Sequence, residues 1–237
     1  MTRDGRSRPT DNRTANQPTD AGTPTTVHRP GTFPATGHDV AYSIEEGEAL
    51  AGRVQARLTW DTAASPHDIV IHLGAFLVDT DSKVPAGNPF YCLNHDNDRS
   101  KDGSTVRHGR RRHGHNVHDE TITVDLDLVD PDVEKVVFVA YIQDANPLNH
   151  TFSGLVGGCV AFYQLTPDDR DPQDDPSLKS FNQHLLDADY YDGETAVVMG
   201  EVFRETVGTW GYRDIGMGLP GLIEVGAQYG VMFVAGR

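Results

Sequence analysis

From Ala51 onward polar and apolar positions alternate strictly, with Val54, Ala56, Leu58 and Trp60 on one face and Arg53, Gln55, Arg57 and Thr59 on the other. This period of two predicts a half-buried strand with the Trp60 ring turned inward. Residues 69–78 (IVIHLGAFLV) are apolar on both faces apart from His72 and Gly74, the pattern of a central strand lying between two layers. Residues 121–128 (TITVDLDL) alternate again, with Ile122, Val124, Leu126 and Leu128 predicted inward. Residues 135–142 (KVVFVAYI) read as a core strand rich in β-branched side chains, reached through a turn at Asp130, Pro131 and Asp132. Further strands are expected at 155–165, 195–204 and 209–213, and a single helix at 222–229, with Pro220 in its first turn and Gly230 as its cap. Many short strands with almost no helical period predict a mainly β protein, an antiparallel β-sandwich with a short C-terminal helix.

The first 38 residues break this picture. They hold nine Thr and five Pro but only Val27 and Phe33 as bulky apolar groups after Met1, too little to offset the entropy of ordering them. Residues 1–38 are therefore expected to be a disordered tail and 39–237 one sandwich domain. The chain is acidic, with a formal charge of -15, and the tail's five Arg and three Asp leave -17 on the body. Such a surface repels phosphate, which disfavours nucleic acid and anionic membranes as partners. The ten-residue run 69–78 is about half of what crosses a bilayer, and the N-terminus lacks an apolar signal core, so a cytoplasmic location is expected. Residues 166–176 (TPDDRDPQDDP) read as a solvated loop. Cys92 and Cys159, 67 residues apart, outline neither a zinc ribbon nor a disulfide framework and read as buried thiols.

Chemistry-bearing motifs are sparse. Gly216, Gly218 and Gly221 spell G-x-G-x-x-G, but only sixteen residues follow, so the second parallel strand of a dinucleotide fold has no room. No G-x-S-x-G, H-E-x-x-H or P-loop is present. The richest segment is 106–120 (VRHGRRRHGHNVHDE), read as an exposed, polar loop between strands. His113, His115 and His118 would supply imidazoles to a soft divalent ion there, with Asp119 or Glu120 completing the shell. The competing reading is a solvated basic loop whose Arg110, Arg111 and Arg112 pair with acids elsewhere, and a third is an anion site. Asp96, Asp98, Ser100 and Asp102 precede Gly103 in a pattern of oxygen ligands, but Lys101 and Arg107 stand where an EF-hand needs Gly and Glu.

Ordered segments carry a resemblance. AFLV (75–78), Phe90 and Tyr91, DGSTV (102–106), Asp119 and Glu120, VVFV (136–139) and QDAN (143–146) fall in the order of the TerD family of tellurite-resistance and stress-response proteins. Closest are ETAVVMGEVFR (194–204), Trp210, the glycines at 216 and 218, and the closing YGV (229–231), so that the resemblance spans roughly 45–231. It implies a β-sandwich without catalysis of its own, a role in resistance to tellurite and other chemical stress, a protein partner in that response, and bound calcium. The departures fall on the calcium chemistry. The family's D-L-D-A-S-A-F stands here as VIHLGAF (70–76), with His72 in place of a carboxylate, and its acidic glycine-rich loop stands as 109–120, where Arg110 adds positive charge and only Asp119 and Glu120 keep their acids. Asp102 and Asp144 fall on acidic positions of the family pattern. The candidate metal residues are thus His72, Asp102, His113, His115, His118, Asp119, Glu120 and Asp144, for a Zn²⁺-like ion in the histidine segment or a weakly held Ca²⁺. The leading expectation is a stress-response binding or scaffold protein whose calcium site is degraded or repurposed, and the alternative is a divalent-metal enzyme built on His72 and the histidine segment.

Overall fold

The computed structural model describes residues 49–61, 69–113, 117–166, 169, 178–186, 190–206 and 208–233, the side chains at 113, 146 and 147 excepted. The elements run β1 (Arg53–Asp61), β2 (Ile71–Val78), β3 (Cys92–Leu93), β4 (Thr105–His113), β5 (Val117–Asp125), β6 (Lys135–Ile142), the helical turn α1 (Ala145–Leu148), β7 (Val156–Leu165), β8 (Asn182–Leu186), β9 (Ala196–Thr206), β10 (Thr209–Leu219) and the helix α2 (Leu222–Gln228). Among these residues the strands form two five-stranded sheets, β4-β5-β1-β7-β8 and β10-β9-β6-β2-β3, with every pairing antiparallel. The sandwich and its C-terminal helix agree with the hydrophobic pattern.

Alternation explains the core. Val54, Ala56, Leu58 and Trp60 of β1 join Ile71, Leu73, Ala75 and Leu77 of β2, Phe138 of β6 and Phe162 of β7 in one buried cluster between the sheets, where Trp60 is 1 % exposed. Full burial of each large apolar side chain contributes about 1.5–3 kcal/mol. β2 is apolar on both faces because both are covered. Phe76 and Val78 point away from the first cluster and pack with Val137, Val139, Val198, Val225 and Tyr229 in a second, under α2. The Phe76 and Tyr229 rings lie 5.1 Å apart.

The helix starts at Leu222 behind Gly221, so Pro220 stands just outside it rather than in its first turn. Gly230 closes it with φ 75°, while Val231 N–H reaches Gly226 O at 2.8 Å, a left-handed cap that a residue with Cβ would strain. Two of the three motif glycines lie inside β10, where Gly216 takes φ 62° at a bulge in the pairing with β9.

The structure corrects the sequence reading in three further places. Residues 106–120 are mostly strand rather than exposed loop: β4 and β5 pair as a hairpin, and Arg107, Asp119 and Glu120 are buried. Apolar alternation is missing from β4 because its buried positions carry Thr105 and Arg107, the latter neutralised inside the fold. Leu128 faces solvent at 56 % exposure, since β5 ends at Asp125, whose carboxylate accepts the Asp127 N–H and turns the chain. The short strands β3 and β8 carry too few residues to show a period. The tail, most of the 166–176 loop and His115 lie outside the described residues.

Candidate functional site

β3 pairs with only Ala75 and Phe76 of β2, so the β2 edge beyond it is completed by side chains. Leu73 N–H donates to Glu120 Oε1 at 3.1 Å, and Leu73 O accepts from Arg107 Nε at 3.2 Å. A carboxylate and a guanidinium here take the place of a neighbouring strand.

The spacing of β5 aims Glu120 at this edge. It registers opposite Leu58, which points into the core, whereas Asp119 registers opposite Thr59 on the outer face. Consecutive strand residues point to opposite faces, so Asp119 and Glu120 do not serve one ion together. Asp119 lies instead under Arg57 and Arg111, its oxygens 3.1 Å and 3.5 Å from their Nε atoms.

Arg107 is 7 % exposed and its side chain has four partners among the described residues. Its Nε also donates to Glu120 Oε1, one terminal nitrogen donates to Asp98 Oδ1 at 2.7 Å, and the other lies 3.0 Å from His72 Nδ1. Burial works against its charge, yet the field and hydrogen bond of Glu120, aided by Asp98, outweigh that and hold its pKa above the ordinary arginine value. His72 Nδ1 is also 3.0 Å from Glu120 Oε2, and His72 Nε2 is 2.9 Å from Gln143 Oε1. A proton on Nδ1 therefore meets the carboxylate, and a lone pair there meets the guanidinium. The His95 ring stacks on His72 at 5.4 Å, and the His95 backbone N–H and ring Nδ1 both hydrogen-bond the Tyr141 hydroxyl, which burial keeps protonated far above the ordinary tyrosine range.

The remaining candidates are dispersed. Asp102 accepts from Ser100 Oγ, Ser104 N and Oγ, and Asp130 N at 2.5–3.0 Å, clamping the loop between β3 and β4 to the β5–β6 turn. Burial opposes its ionisation, but those donors hold its pKa below the ordinary value. Asp144 is exposed beside Gln143, with φ 51°. His118 stacks on the buried Trp60 at 5.4 Å and accepts from Arg110 Nε at 2.9 Å. The His113 side chain lies outside the described residues, although its backbone pairs with Val117. Burial pushes the Cys92 thiol up to about 12 and raises that of Cys159, which leaves neither activated as a nucleophile.

Of the eight candidates the structure thus brings His72 to Glu120 and separates Asp119 from both. Among the described residues no three His, Cys, Asp or Glu side chains converge as the ligands of an ion would. The oxygen donors that come closest to a calcium shell, from Glu120, Asp98 and Leu73, surround a guanidinium, so the residues at this edge do not fit calcium. Arg107, Asp98, Gln143 and Tyr141 were missed as members of one cluster. The available signal was the period of two itself: Glu120 continues the inward face of Ile122, Val124 and Leu126, and an acid on that face demands a cationic partner.

A second polar contact closes the other side of the sandwich. His184 of β8 and Asp214 of β10 meet at 2.5 Å from the two edge strands, beside the Phe162 ring.

A profile of the TerD domain matches residues 38–229. The tellurium resistance protein TerD of Serratia marcescens is 34% identical over 192 residues, which are 80% of this chain and 93% of that protein. TerD of Alcaligenes sp. is 34% identical over 177 residues, 73% of this chain and 85% of the other. General stress protein 16U of Bacillus subtilis (strain 168) is 28% identical over 186 residues, 76% and 88% of the two chains. A crystal structure of a TerD homologue from Streptomyces coelicolor A3(2) shares the fold, with TM-score 0.55 and 23% identity over 75% of this chain and 95% of that one. The order of matched segments, the paired sheets and this span of similarity lead to one conclusion: the chain belongs to the TerD domain family.

Proposed function

We propose that this protein acts in resistance to tellurium compounds or related chemical stress as a cytoplasmic binding or scaffold module, without catalysis of its own, and that the calcium site implied by its family has been lost at the β2 edge. The stress role is supported by what its relatives are named for, two tellurium resistance proteins and a general stress protein. The observation that carries the non-catalytic part is the placement of charge: Arg107, Glu120 and His72 are buried and engaged with one another, and the buried Asp119 is engaged by Arg57 and Arg111. Groups so engaged stabilise a fold and are poorly placed to turn over a substrate. No helix among the described residues is long and apolar enough to cross a membrane.

A strain lacking this chain tests the reading. Survival in tellurite and in oxidising or metal stress is expected to fall and to return with the wild-type chain. Unchanged survival across those stresses would count against the role.

A further inference from the structure

We propose that the Arg107 guanidinium is a built-in cation, performing at the β2 edge the structural task of a divalent ion, so that the clasp between the sheets holds without metal. This rests on the preceding reading only for the expectation that an ion belongs to the family, because the geometry stands by itself.

The donor set is that of a hard cation. Two carboxylates from different elements, Glu120 of β5 and Asp98 of the loop between β3 and β4, and one backbone carbonyl, Leu73 of β2, converge on Arg107 from three directions. Calcium is held by such a mixture of carboxylate and carbonyl oxygens drawn from separate segments. A guanidinium offers five N–H donors in a rigid plane, and here Nε serves Glu120 and Leu73, one terminal nitrogen serves Asp98, and the other faces His72. Each carboxylate therefore meets positive charge without an exchangeable ligand.

His72 fits the same account. An imidazole is a poor calcium ligand, yet it sits within reach of both Glu120 Oε2 and the guanidinium, where it links carboxylate to Gln143 of the chain just after β6. The carboxylate that the family pattern would place at 72 would add a third negative group to a single guanidinium. His72 and Arg107 thus act together: the imidazole stands where the family pattern has a negative ligand, and the guanidinium supplies the positive centre.

The tests use the full chain. Wild-type protein is expected to unfold at the same temperature in EDTA and in about 5 mM CaCl₂, a concentration above the weak calcium range. Arg107→Ala, which empties the donor set, should unfold at least about 6 °C lower in EDTA and recover half or more of that loss in CaCl₂. Folding of Arg107→Ala only when calcium is present supports the proposal equally. If that variant folds in neither buffer, Arg107→Lys decides: it keeps the charge but not the fork, so a lowered, calcium-insensitive midpoint supports a guanidinium-specific role and an unchanged midpoint overturns it. Calcium stabilisation of the wild type, or an Arg107→Ala loss that calcium does not restore, also overturns the assignment. A strain without a stress phenotype alongside these melting results would sink the proposed function and leave the built-in cation standing.

Discussion

At the β2 edge Glu120 gathers the Leu73 N–H, His72 and Arg107, while on the opposite side His184 meets Asp214, 7 % and 13 % exposed at their side chains. Both contacts join one sheet to the other. They differ in what happens when a partner is lost. Arg107 stays charged at any accessible pH, so a structure that buries it is committed to its carboxylates. His184 carries charge only when protonated, and an imidazole left without Asp214 has a neutral form to fall back on. The first contact is therefore a fixed structural element, and the second is a pair that tolerates loss.

Breaking the first should have the largest effect. Glu120→Ala leaves Arg107 and His72 facing each other and the Leu73 N–H without its acceptor, and is expected to cost about 3–5 kcal/mol in urea unfolding. A loss below about 1 kcal/mol would mean that Asp98 and solvent suffice for Arg107.

Asp214→Ala should cost less, about 1–3 kcal/mol, the loss of one buried polar contact. Since the contacts lie on opposite sides of the sandwich and share no partner, the double variant should match the sum of the single losses to within about 0.5 kcal/mol. A larger coupling would show that the sheets transmit strain between them.

Asp102 tests the surroundings of the first contact through pH. Its folded pKa lies below the ordinary value, so the stability it contributes is fully present above the unfolded pKa near 3.9 and is lost as pH falls through the folded value. Asp102→Asn should flatten the decline of stability below about pH 4 and leave the response around pH 7 to 8 unaltered. Urea midpoints across that range would reveal an unchanged acid slope if the loop clamp were irrelevant.

Deleting residues 1–38 should have the smallest effect, a thermal midpoint within about 2 °C of the full chain. The partners of both contacts among the described residues lie between His72 and Asp214, and the deleted segment holds few apolar groups. A drop of several degrees by calorimetry would show that the segment supports the body.

Periodicity alone determined much of this protein. The inward faces of β1 and of Ile122 and Val124 on β5, the two-sided burial of β2 and the closing helix follow from where apolar side chains recur, because burying them drives each element against its neighbour. The ordered segments that resemble TerD proteins were equally readable, being local strings of residues. Tertiary structure decided the rest. The β4 segment became a strand because its charges found partners in β5 and the preceding loop, and Glu120 met His72 and Leu73 across 48 and 47 positions of sequence. Local patterns carry no record of which strand lies beside which, or of the face a charged side chain meets. The same pair of acids, Asp119 and Glu120, reads as one ligand set in the sequence and as two unrelated contacts in the fold, because the pleat of β5 turns neighbouring side chains to opposite sides.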